Sequence, residues 1–533
     1  DIPHHHEDTY SLYAAHNFII VAGEETFGLY IDYPSALTFD IGYTRSDRLH
    51  IFCERADLDL YVITGDTPYD ITKQFRKVIG RSYIAPKFAF GFGQSRWGYK
   101  TPEDFITVVK KYRENHIPID TVYMDIDYMD NYKDFTINEE FGDFLRYVAD
   151  MKEEQIHLVP IIDAGVKIEE GYEIYEEGVA NNYFCKRQDG SDYVAAVWPG
   201  YTHFPDVLNP DARKWFGEKY KILTDAGIEG FWNDMNEPAI FYTPEGVREA
   251  KEAMREFLDK EETVDEVWAI GGQMTDLANN AKDYASMYHN VNGTMIRHDK
   301  VHNIFGYNMT RAAGEALREL SPDKRCLVFS RSSYIGMHRY GGIWTGDNKS
   351  WWSHMLLNLK MLPSLNMCGF LYIGADLGGF GCNATRDLLL RWLALGIFTP
   401  LMRNHSCQDT RNQECYQFEH IEDFRHIIEI RYRLIPYIYS EYMKAALTDD
   451  MMFRPLAFEQ TEMPKGHHFI EVPLNEVILF IRKDKCIPLA DVAESVADID
   501  MNTLQLIGYK NSSYQLYDDD GYTREYDLEK HSI

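Results

Sequence analysis

The spacing of hydrophobic and polar residues changes near residue 82 of this chain. Before that point, residues 17–25, 26–34 and 58–66 alternate between apolar and polar side chains. Glycine, proline and aspartate separate these stretches, a pattern typical of short antiparallel strands. We therefore predict that residues 1–82 form part of an N-terminal β-sandwich.

From residue 83 onward, short apolar runs alternate with amphipathic helical stretches such as 102–116, 211–227, 310–320 and 385–396. This alternation is the pattern of parallel βα units. The apolar runs predict eight strands, at 88–94, 121–127, 157–163, 230–235, 326–331, 341–347, 369–376 and 398–403. Eight such units predict an α/β fold in which residues 83–447 form a (β/α)8 TIM barrel.

Two further regions interrupt or follow the predicted barrel. An insertion at about 239–304 contains a polar helical stretch, 245–262, which we expect on the surface or at a subunit contact. Residues 448–533 become β-like again, at 469–482, 503–509 and 513–527. They predict a shortened C-terminal β-domain.

Charge and cysteine content narrow the partners and the location. The formal net charge is −30, which disfavours nucleic acid and anionic membranes as partners. The longest apolar runs are too short or too interrupted to cross a bilayer. The eight cysteines include no CxxC pair, and no signal peptide opens the chain. We predict a cytoplasmic protein without metal or cofactor, and a homo-oligomer remains open.

The predicted strand ends carry an unusual concentration of charged side chains. They are Asp125, Asp127, Asp163, Asp234, Arg331, Asp347, Asp376, Arg403 and His405. In a (β/α)8 barrel, catalytic residues project from these ends, and paired carboxylates there suit glycoside hydrolysis. Metal-dependent hydrolases normally need several histidine ligands, and this set has one. Single aspartates after strands also cap loops, so the residues alone leave the individual roles open.

One segment narrows the choice. Residues 230–238, GFWNDMNEP, closely resemble the nucleophile signature of glycoside hydrolase family 31, the α-glucosidase and α-xylosidase family. Residues 344–348, WTGDN, resemble the acid/base segment of that family. Residues 329–332, 374–380 and 403–405 resemble three further conserved barrel segments. Each match falls at a predicted strand end, the context that such a motif requires.

The resemblance implies specific roles. Asp234 would be the nucleophile and Asp347 the general acid/base. Arg331 would hold Asp234 anionic by lowering its pKa and would bind a sugar hydroxyl. Trp97 would border the leaving-group subsite, and Asp1 would reach the site from an N-terminal loop. The remaining implied substrate contacts are Asp125, Ile126, Trp198, Trp232, Met235, Trp344, Phe380 and His405.

These roles predict a retaining, exo-acting α-glucosidase that releases terminal glucose from short α-linked oligosaccharides through a covalent glucosyl-aspartate. Asp125 and Ile126 leave room for the glucose C6 hydroxymethyl, where the α-xylosidase members place cysteine and bulky aromatics. The alternatives are an α-xylosidase, a transglucosidase or an α-glucan lyase of the same family. A non-catalytic carbohydrate-binding protein and a metal-dependent barrel hydrolase are the alternatives from other classes.

Overall fold

A computed structural model describes residues 13–55, 57–257, 263–455, 458 and 470–533. Asp1, one of the predicted substrate contacts, lies outside these residues. Within the described ranges, no helix combines the length and apolar character needed to cross a bilayer.

The N-terminal residues form two small antiparallel sheets and a helix. In chain order they contain β1 (Phe18–Val21), β2 (Phe27–Asp32), β3 (Leu37–Ile41), β4 (Leu49–Cys53), β5 (Asp59–Thr64) and α1 (Pro68–Ile79). The first sheet has the order β1-β2-β5, and β3 pairs with β4. Thr67 and Asp70 form a capping box that starts α1, and Phe75 of α1 packs its ring on Phe18. The three predicted alternating stretches are therefore strands.

The central region alternates strands and helices as predicted. In chain order it contains β6 (Phe92–Ser95), α2 (Pro102–Glu114), β7 (Thr121–Met124), α3 (Phe144–Glu153), β8 (His157–Ile162), β9 (Val166–Lys167), α4 (Glu173–Ala180), β10 (Ala195–Val197), β11 (Gly200–His203), α5 (Pro210–Glu218), α6 (Lys221–Thr224), β12 (Gly230–Asn233), α7 (Pro244–Phe257), α8 (Val264–Thr275), α9 (Ala281–Ser286), β13 (Tyr288–Val291), β14 (Thr294–Arg297), α10 (Phe305–Leu320), β15 (Leu327–Ser330), β16 (Gly342–Trp344), α11 (Trp352–Met367), β17 (Ile373–Gly374), β18 (Asp376–Leu377), α12 (Arg386–Gly396), β19 (Met402–Asn404) and α13 (Ile421–Leu447).

Nine of these strands form one parallel sheet with the order β17-β16-β15-β12-β8-β7-β6-β19-β18. The predicted strand at 369–376 is divided, because β17 pairs with β16 whereas β18 pairs with β19. Only Ala375 separates the two halves, so one continuous stretch of chain closes the barrel. The (β/α)8 prediction is confirmed, with a seventh strand that changes its partner midway.

Other element limits differ from the prediction. Residues Lys87–Phe90 form a turn of 3-10 helix, and β6 begins only at Phe92. A side chain at Gly91 would overlap the carboxyl of Asp120, so the backbone lies too close to its neighbour for a larger residue. The helix predicted at 211–227 is split into α5 and α6.

The C-terminal residues contain β20 (Cys486–Leu489) and β21 (Gln505–Gly508), which pair antiparallel. The strand predicted at 469–482 is wrong for its described part, 470–482, which contains no strand. Phe480 there is 79% exposed. The bounds of the three predicted domains remain predictions.

Candidate active site

The predicted nucleophile stands directly after β12. The Asp234 amide donates to the Ile162 carbonyl at the end of β8, at 3.0 Å, which continues the parallel sheet by one residue. Met235 then adopts a positive φ of 54° and its amide donates to Asp234 Oδ1 at 2.6 Å. This turn ends the strand and leaves the Asp234 side chain 13% exposed at the barrel mouth.

A single guanidinium contacts three carboxylates. Arg331, which follows β15, places Nε 2.9 Å from Asp234 Oδ1. Its Nε and Nη2 donate to the two carboxylate oxygens of Glu237, at 3.0 Å each. Its Nη1 lies 3.6 Å from Asp347 Oδ2. The structure therefore brings Asp234, Arg331 and Asp347 together, with Glu237 fixing the orientation of the guanidinium.

A buried asparagine connects the two loops that carry Asp234 and Arg331. Asn236 Nδ2 donates to Ser330 Oγ at 2.9 Å, and the Ser332 amide donates to Asn236 Oδ1 at 3.1 Å. These two bonds join the end of β12 to the end of β15. They set the position of Asp234 relative to Arg331.

Asp347 follows β16 on a loop that is fixed in the same way. Gly346 has a φ of 79°, in the left-handed region that favours glycine. Asn348 donates to the Asp376 carbonyl at 3.1 Å and accepts from the Phe380 amide at 2.9 Å. The Asp347 side chain remains 18% exposed. The loops after β16 and β18 therefore form one rigid side of the mouth.

Tyr13 is a site residue that the sequence did not reveal. Its ring lies 4.3 Å from the Arg331 guanidinium and is buried, with 6% of its surface exposed. A methyl group on Gly346 would overlap this ring, so the glycine is required beside it. The Tyr13 side chain also lowers the pKa of Asp347 through a hydrogen bond. No motif surrounds Tyr13, so the single sequence carries no signal for this contact.

Asp125 and His405 lie across the mouth. Asp125 follows β7, and its Oδ1 accepts the Ile126 amide at 2.7 Å. His405 Nε2 lies 3.7 Å from Asp125 Oδ2. Burial raises the pKa of Asp125 to about 8 and lowers the pKa of His405 well below its ordinary value. Ile126 is only 2% exposed.

The predicted tryptophan wall is mostly buried. Trp232 and Trp344 are 1% and 2% exposed, so each presents only a small area to a ligand. Their rings lie 4.6 and 5.2 Å from the guanidinium of Arg403. Arg403 donates to Asp376 Oδ1 at 2.6 Å, and both side chains are fully buried. Asp376 is thus part of a buried ion pair that supports the mouth from below.

Three further aromatic rings are more accessible. Phe380 stacks on His405 with a centroid separation of 5.0 Å. Trp97 packs edge-to-face against Trp198 at 4.9 Å. The Trp97 amide donates to the Ser406 carbonyl at 3.0 Å, which places this tryptophan pair next to the His405 segment. Phe380, Trp97 and Trp198 therefore lie along one side of the site.

Burial dominates the electrostatics of the two predicted catalytic carboxyls. It raises the pKa of Asp234 to about 7, although the charge of Arg331 opposes this rise. Arg331 lowers this pKa, as predicted, but desolvation is the larger effect and leaves the pKa above its ordinary value. Burial also raises the pKa of Asp347. Burial acts in the same direction on Glu237, but the charge and hydrogen bonds of Arg331 lower its pKa below the ordinary value.

Two other strand-end aspartates take supporting positions. The Asp163 amide donates to Asp134 Oδ1 at 2.8 Å, and burial raises the pKa of both carboxyls. Asp127 lies 4.0 Å from Lys100 Nζ. Neither Asp127 nor Asp163 belongs to the group of carboxylates around Arg331.

One buried group has the composition of a metal site. The ligand atoms of Cys185, Asp206 and His289 lie within 4.8 Å of one another. Asp206 Oδ1 is 2.7 Å from His289 Nδ1, and His289 Nε2 is 2.9 Å from His298 Nδ1. His298 Nε2 is in turn 2.8 Å from His302 Nδ1. This chain of hydrogen bonds already uses the potential ligand atoms of Asp206 and His289.

Comparison with known proteins agrees with this geometry. The model of the glycosyl hydrolases family 31 TIM-barrel domain matches residues 82–441. Alpha-glucosidase 2 of Bacillus thermoamyloliquefaciens is 32% identical over an alignment of 578 residues. The alignment covers 98% of this chain and 69% of that protein. The family 31 alpha-glucosidase structure from Bacteroides thetaiotaomicron has a TM-score of 0.76 at 25% identity, with coverage of 96% and 84%.

A structure of the glucosidase II alpha subunit has a TM-score of 0.84 at 24% identity. It covers 100% of this chain, whereas this chain covers only 62% of that protein. At this identity, the likeness shows the fold alone. The family model covers most of the chain and includes the strands that carry Asp234, Arg331 and Asp347. The chain belongs to glycoside hydrolase family 31.

Proposed function

We propose that this chain is a retaining, exo-acting α-glucosidase that hydrolyses terminal α-linked glucose from short oligosaccharides. The observation that carries the proposal is the contact of one guanidinium, Arg331, with both Asp234 and Asp347. Both carboxylates remain partly exposed at the barrel mouth. A double displacement requires two such groups that flank the scissile glycosidic bond, one at the face opposite the leaving group and one beside the leaving oxygen.

In the first step, an Asp234 oxygen attacks the anomeric carbon while the bond to the leaving oxygen breaks. Asp347 donates its proton to that oxygen, and the product is a glucosyl ester of Asp234. In the second step, Asp347 removes a proton from water, and the water oxygen attacks the anomeric carbon. Asp234 leaves as a carboxylate, Asp347 is protonated again, and the configuration of glucose is retained.

The charges around Arg331 support these roles. The raised pKa of Asp347 favours the protonated form that a general acid needs. Arg331 stabilises the anion of Asp234, while the low pKa of Glu237 keeps a permanent negative partner on the guanidinium. Arg331 therefore stays oriented when Asp234 loses its charge in the ester intermediate.

The substrate assignment rests on the far side of the mouth. The place where the sugar C6 would lie is bordered by Asp125, Ile126 and His405, and these residues put no bulky exposed ring there. Hydrogen-bonding atoms come from Asp125 and His405. The name alpha-glucosidase of the Bacillus relative supports the same choice. We therefore favour glucosides over xylosides.

A panel of maltose, isomaltose, sucrose and paired p-nitrophenyl α-glucoside and α-xyloside tests the proposal, with the first-formed anomer followed by NMR. We expect α-glucose as the first product and a higher kcat/KM for the glucoside. A β-anomer would contradict retention, and a preference for the xyloside would contradict the glucosidase assignment. Transfer products in place of glucose would favour the transglucosidase, and loss of activity in excess EDTA would favour a metal-dependent hydrolase.

The cytoplasm is the location that we propose. All eight cysteines are unpaired thiols, the state that a reducing compartment maintains. Thiol titration of the protein purified from its source cells under acid quench should give eight free thiols per chain. Fewer thiols would indicate an oxidising compartment.

A further inference from the structure

A second cavity lies at the opposite end of the barrel from Asp234. It has a volume of about 330 Å³ and adjoins Cys326, which directly precedes β15, whereas Arg331 follows the other end of that strand. Five arginines line it, and no acidic side chain does so among the described residues. The arginines are Arg81, Arg318, Arg325, Arg339 and Arg524.

Only one of these arginines has an acidic partner. Arg325 forms a buried ion pair with Asp519. In the part of the chain that the structure describes, no carboxylate oxygen lies within 4.0 Å of the other four guanidinium groups. Four uncompensated cations around one cavity are unexpected in a protein with a net charge of −30.

Neutral groups hold three of the four guanidinium groups in place, those of Arg318, Arg339 and Arg524. Arg318 donates to the Arg339 carbonyl at 2.7 Å, and Arg339 donates to the Gly336 carbonyl at 3.0 Å. Arg524 donates to the Lys324 carbonyl at 2.8 Å. The guanidinium groups of Arg318 and Arg339 also lie 5.4 and 5.5 Å from the ring of Tyr340. These contacts fix the positions of the cations without neutralising their charge.

Capping of a helix end accounts for part of this arrangement. Arg524 Nη2 lies 3.5 Å from the Leu317 carbonyl and 3.4 Å from the Ser321 carbonyl, at the C-terminal end of α10. Capping does not explain why Arg81 and Arg339 face the same cavity. Each guanidinium has five N–H donors, and the bonds described above leave some of them free on Arg318, Arg339 and Arg524.

We propose that this cavity binds a small phosphate-bearing molecule. Guanidinium groups match phosphate oxygens in pairs of parallel hydrogen bonds, and their combined charge favours an anion with more than one negative charge. The volume is in the range of small-ligand sites. Leu317, Val328 and Leu447 give the cavity an apolar wall, which suits a ligand with an organic body rather than inorganic phosphate alone.

Isothermal titration at constant ionic strength tests the proposal, with inorganic phosphate and a hexose 6-phosphate as probes. We expect saturable binding of one molecule per chain, with the hexose phosphate at least tenfold tighter. Equal affinity for the two probes would contradict a ligand with an organic body. Tighter binding of citrate than of the hexose phosphate would contradict the phosphate assignment.

The variant Arg81→Gln/Arg339→Gln should weaken binding at least tenfold. The matched control is Arg45→Gln/Arg146→Gln, which removes the same charge from two exposed arginines that pair with acids elsewhere. An equal loss in the control, or no saturable binding to the wild-type protein, would overturn the proposal. If the double variant does not fold, the single variant Arg81→Gln, at an exposed position, provides the same comparison. The titration does not use turnover, so its outcome is separate from that of the proposed hydrolase activity.

Discussion

Arg331 is the only cation among the described side chains that contacts Asp234, Glu237 and Asp347 together. Three carboxylates around one guanidinium leave an excess of negative charge in a buried place, which is costly unless a proton binds. Arg331 donates hydrogen bonds to both carboxylate oxygens of Glu237, and these bonds stabilise the ionised form of Glu237. The proton is therefore left to Asp234 and Asp347, and catalysis requires it on Asp347, the general acid.

Asp347→Ala and Asp234→Ala should differ in their dependence on the leaving group. Asp347→Ala should lose about 10²–10⁴-fold in rate on maltose and much less on 2,4-dinitrophenyl α-glucoside, because an activated leaving group needs no proton. Asp234→Ala should lose activity on both. Single-turnover and steady-state rates on the two substrates provide the measurement. Equal losses in Asp347→Ala would show that this residue is not the acid.

Tyr13→Phe should change the pH profile while keeping the ring on Arg331. The Tyr13 hydroxyl lowers the pKa of Asp347, so its removal should raise that pKa. A hydrogen bond worth about 0.5–1.5 kcal/mol corresponds to about 0.4–1.1 pH units. The alkaline limb of kcat/KM should move to higher pH by this amount.

Tyr33→Phe is the matched control, because Tyr33 is also buried and its described hydrogen bonds involve Asn17 and Tyr334 rather than the Arg331 group. Its pH profile should equal that of the wild type. An unchanged alkaline limb in Tyr13→Phe would exclude a role for this hydroxyl in the protonation of Asp347.

The sequence located the charged residues of the site better than their surroundings. Asp234, Arg331 and Asp347 follow strands, so the barrel pattern predicts that they meet. Tyr13 precedes the barrel and reaches Arg331 through tertiary packing, which no local pattern encodes. The sequence predicted that Arg331 lowers the pKa of Asp234 but not the larger effect of burial, because the desolvation of a side chain depends on the atoms packed around it.

At the level of elements, asparagine side chains connect neighbouring strand ends around the mouth. Asn236 joins the loops after β12 and β15, and Asn348 joins the loops after β16 and β18. Main-chain bonds within each strand cannot set the distance between loops. These side chains supply that constraint, so their loss should affect geometry more than folding.

Asn236→Ala should lower kcat at least tenfold with a smaller change in KM, because Asp234 and Arg331 lose their common support. It should also cost about 1–3 kcal/mol of unfolding free energy through unpaired buried groups. Asn366→Ala is the control. Asn366 is buried near the start of β17 and bonds the Phe370 carbonyl and the Met452 amide. The Asn366→Ala variant should lose comparable stability with kcat unchanged. Equal kcat losses in both variants would contradict a positioning role for Asn236.

The elements that sequence patterns misplaced share a physical cause. The stretch 369–375 is apolar throughout, so nothing in it shows that β17 and β18 pair with different neighbours. The stretch 469–482 has strand-like residues, but strands form only where a partner supplies hydrogen bonds. Partner availability is a property of the whole fold.

For the molecule as a whole, buried acids make stability depend on pH in an unusual direction. Burial raises the pKa of Asp120, Asp234 and Asp376 to about 7 and that of Asp125 to about 8. Among the described residues, Asp120 and Asp125 pair with no arginine or lysine, so between pH 4 and pH 7 the folded chain holds these two protons and the unfolded chain does not. These carboxyls lower the unfolding free energy as the pH rises. His16, His302 and His338, whose pKa values burial lowers to about 4, 4 and 3, raise it up to about pH 6.5. The net fall should therefore appear between about pH 6.5 and pH 8.

Urea unfolding at pH 5, 6, 7 and 8 measures this dependence. Asp120→Asn removes one titrating group outside the active site, where Asp120 Oδ1 accepts the Val496 amide at 2.8 Å. The unfolding free energy of Asp120→Asn should fall less steeply with pH than that of the wild type. The difference in slope should reach up to about 1.4 kcal/mol per pH unit between pH 5 and pH 7. A slope identical to that of the wild type would show that Asp120 is ionised in the folded protein.

The pairing of β6 with β19 has a consequence for how the chain acquires its fold. Met402, Arg403 and Asn404 of β19 pair with Phe92, Gly93 and Gln94 of β6. About 300 residues separate the two strands, and a ribosome working at about 5–20 residues per second needs about 15–60 s to make them. During that interval, the growing chain cannot complete the ring of strands. The edge of β6 stays open to other chains until β19 emerges, so crowding of nascent chains at this stage favours aggregation over activity.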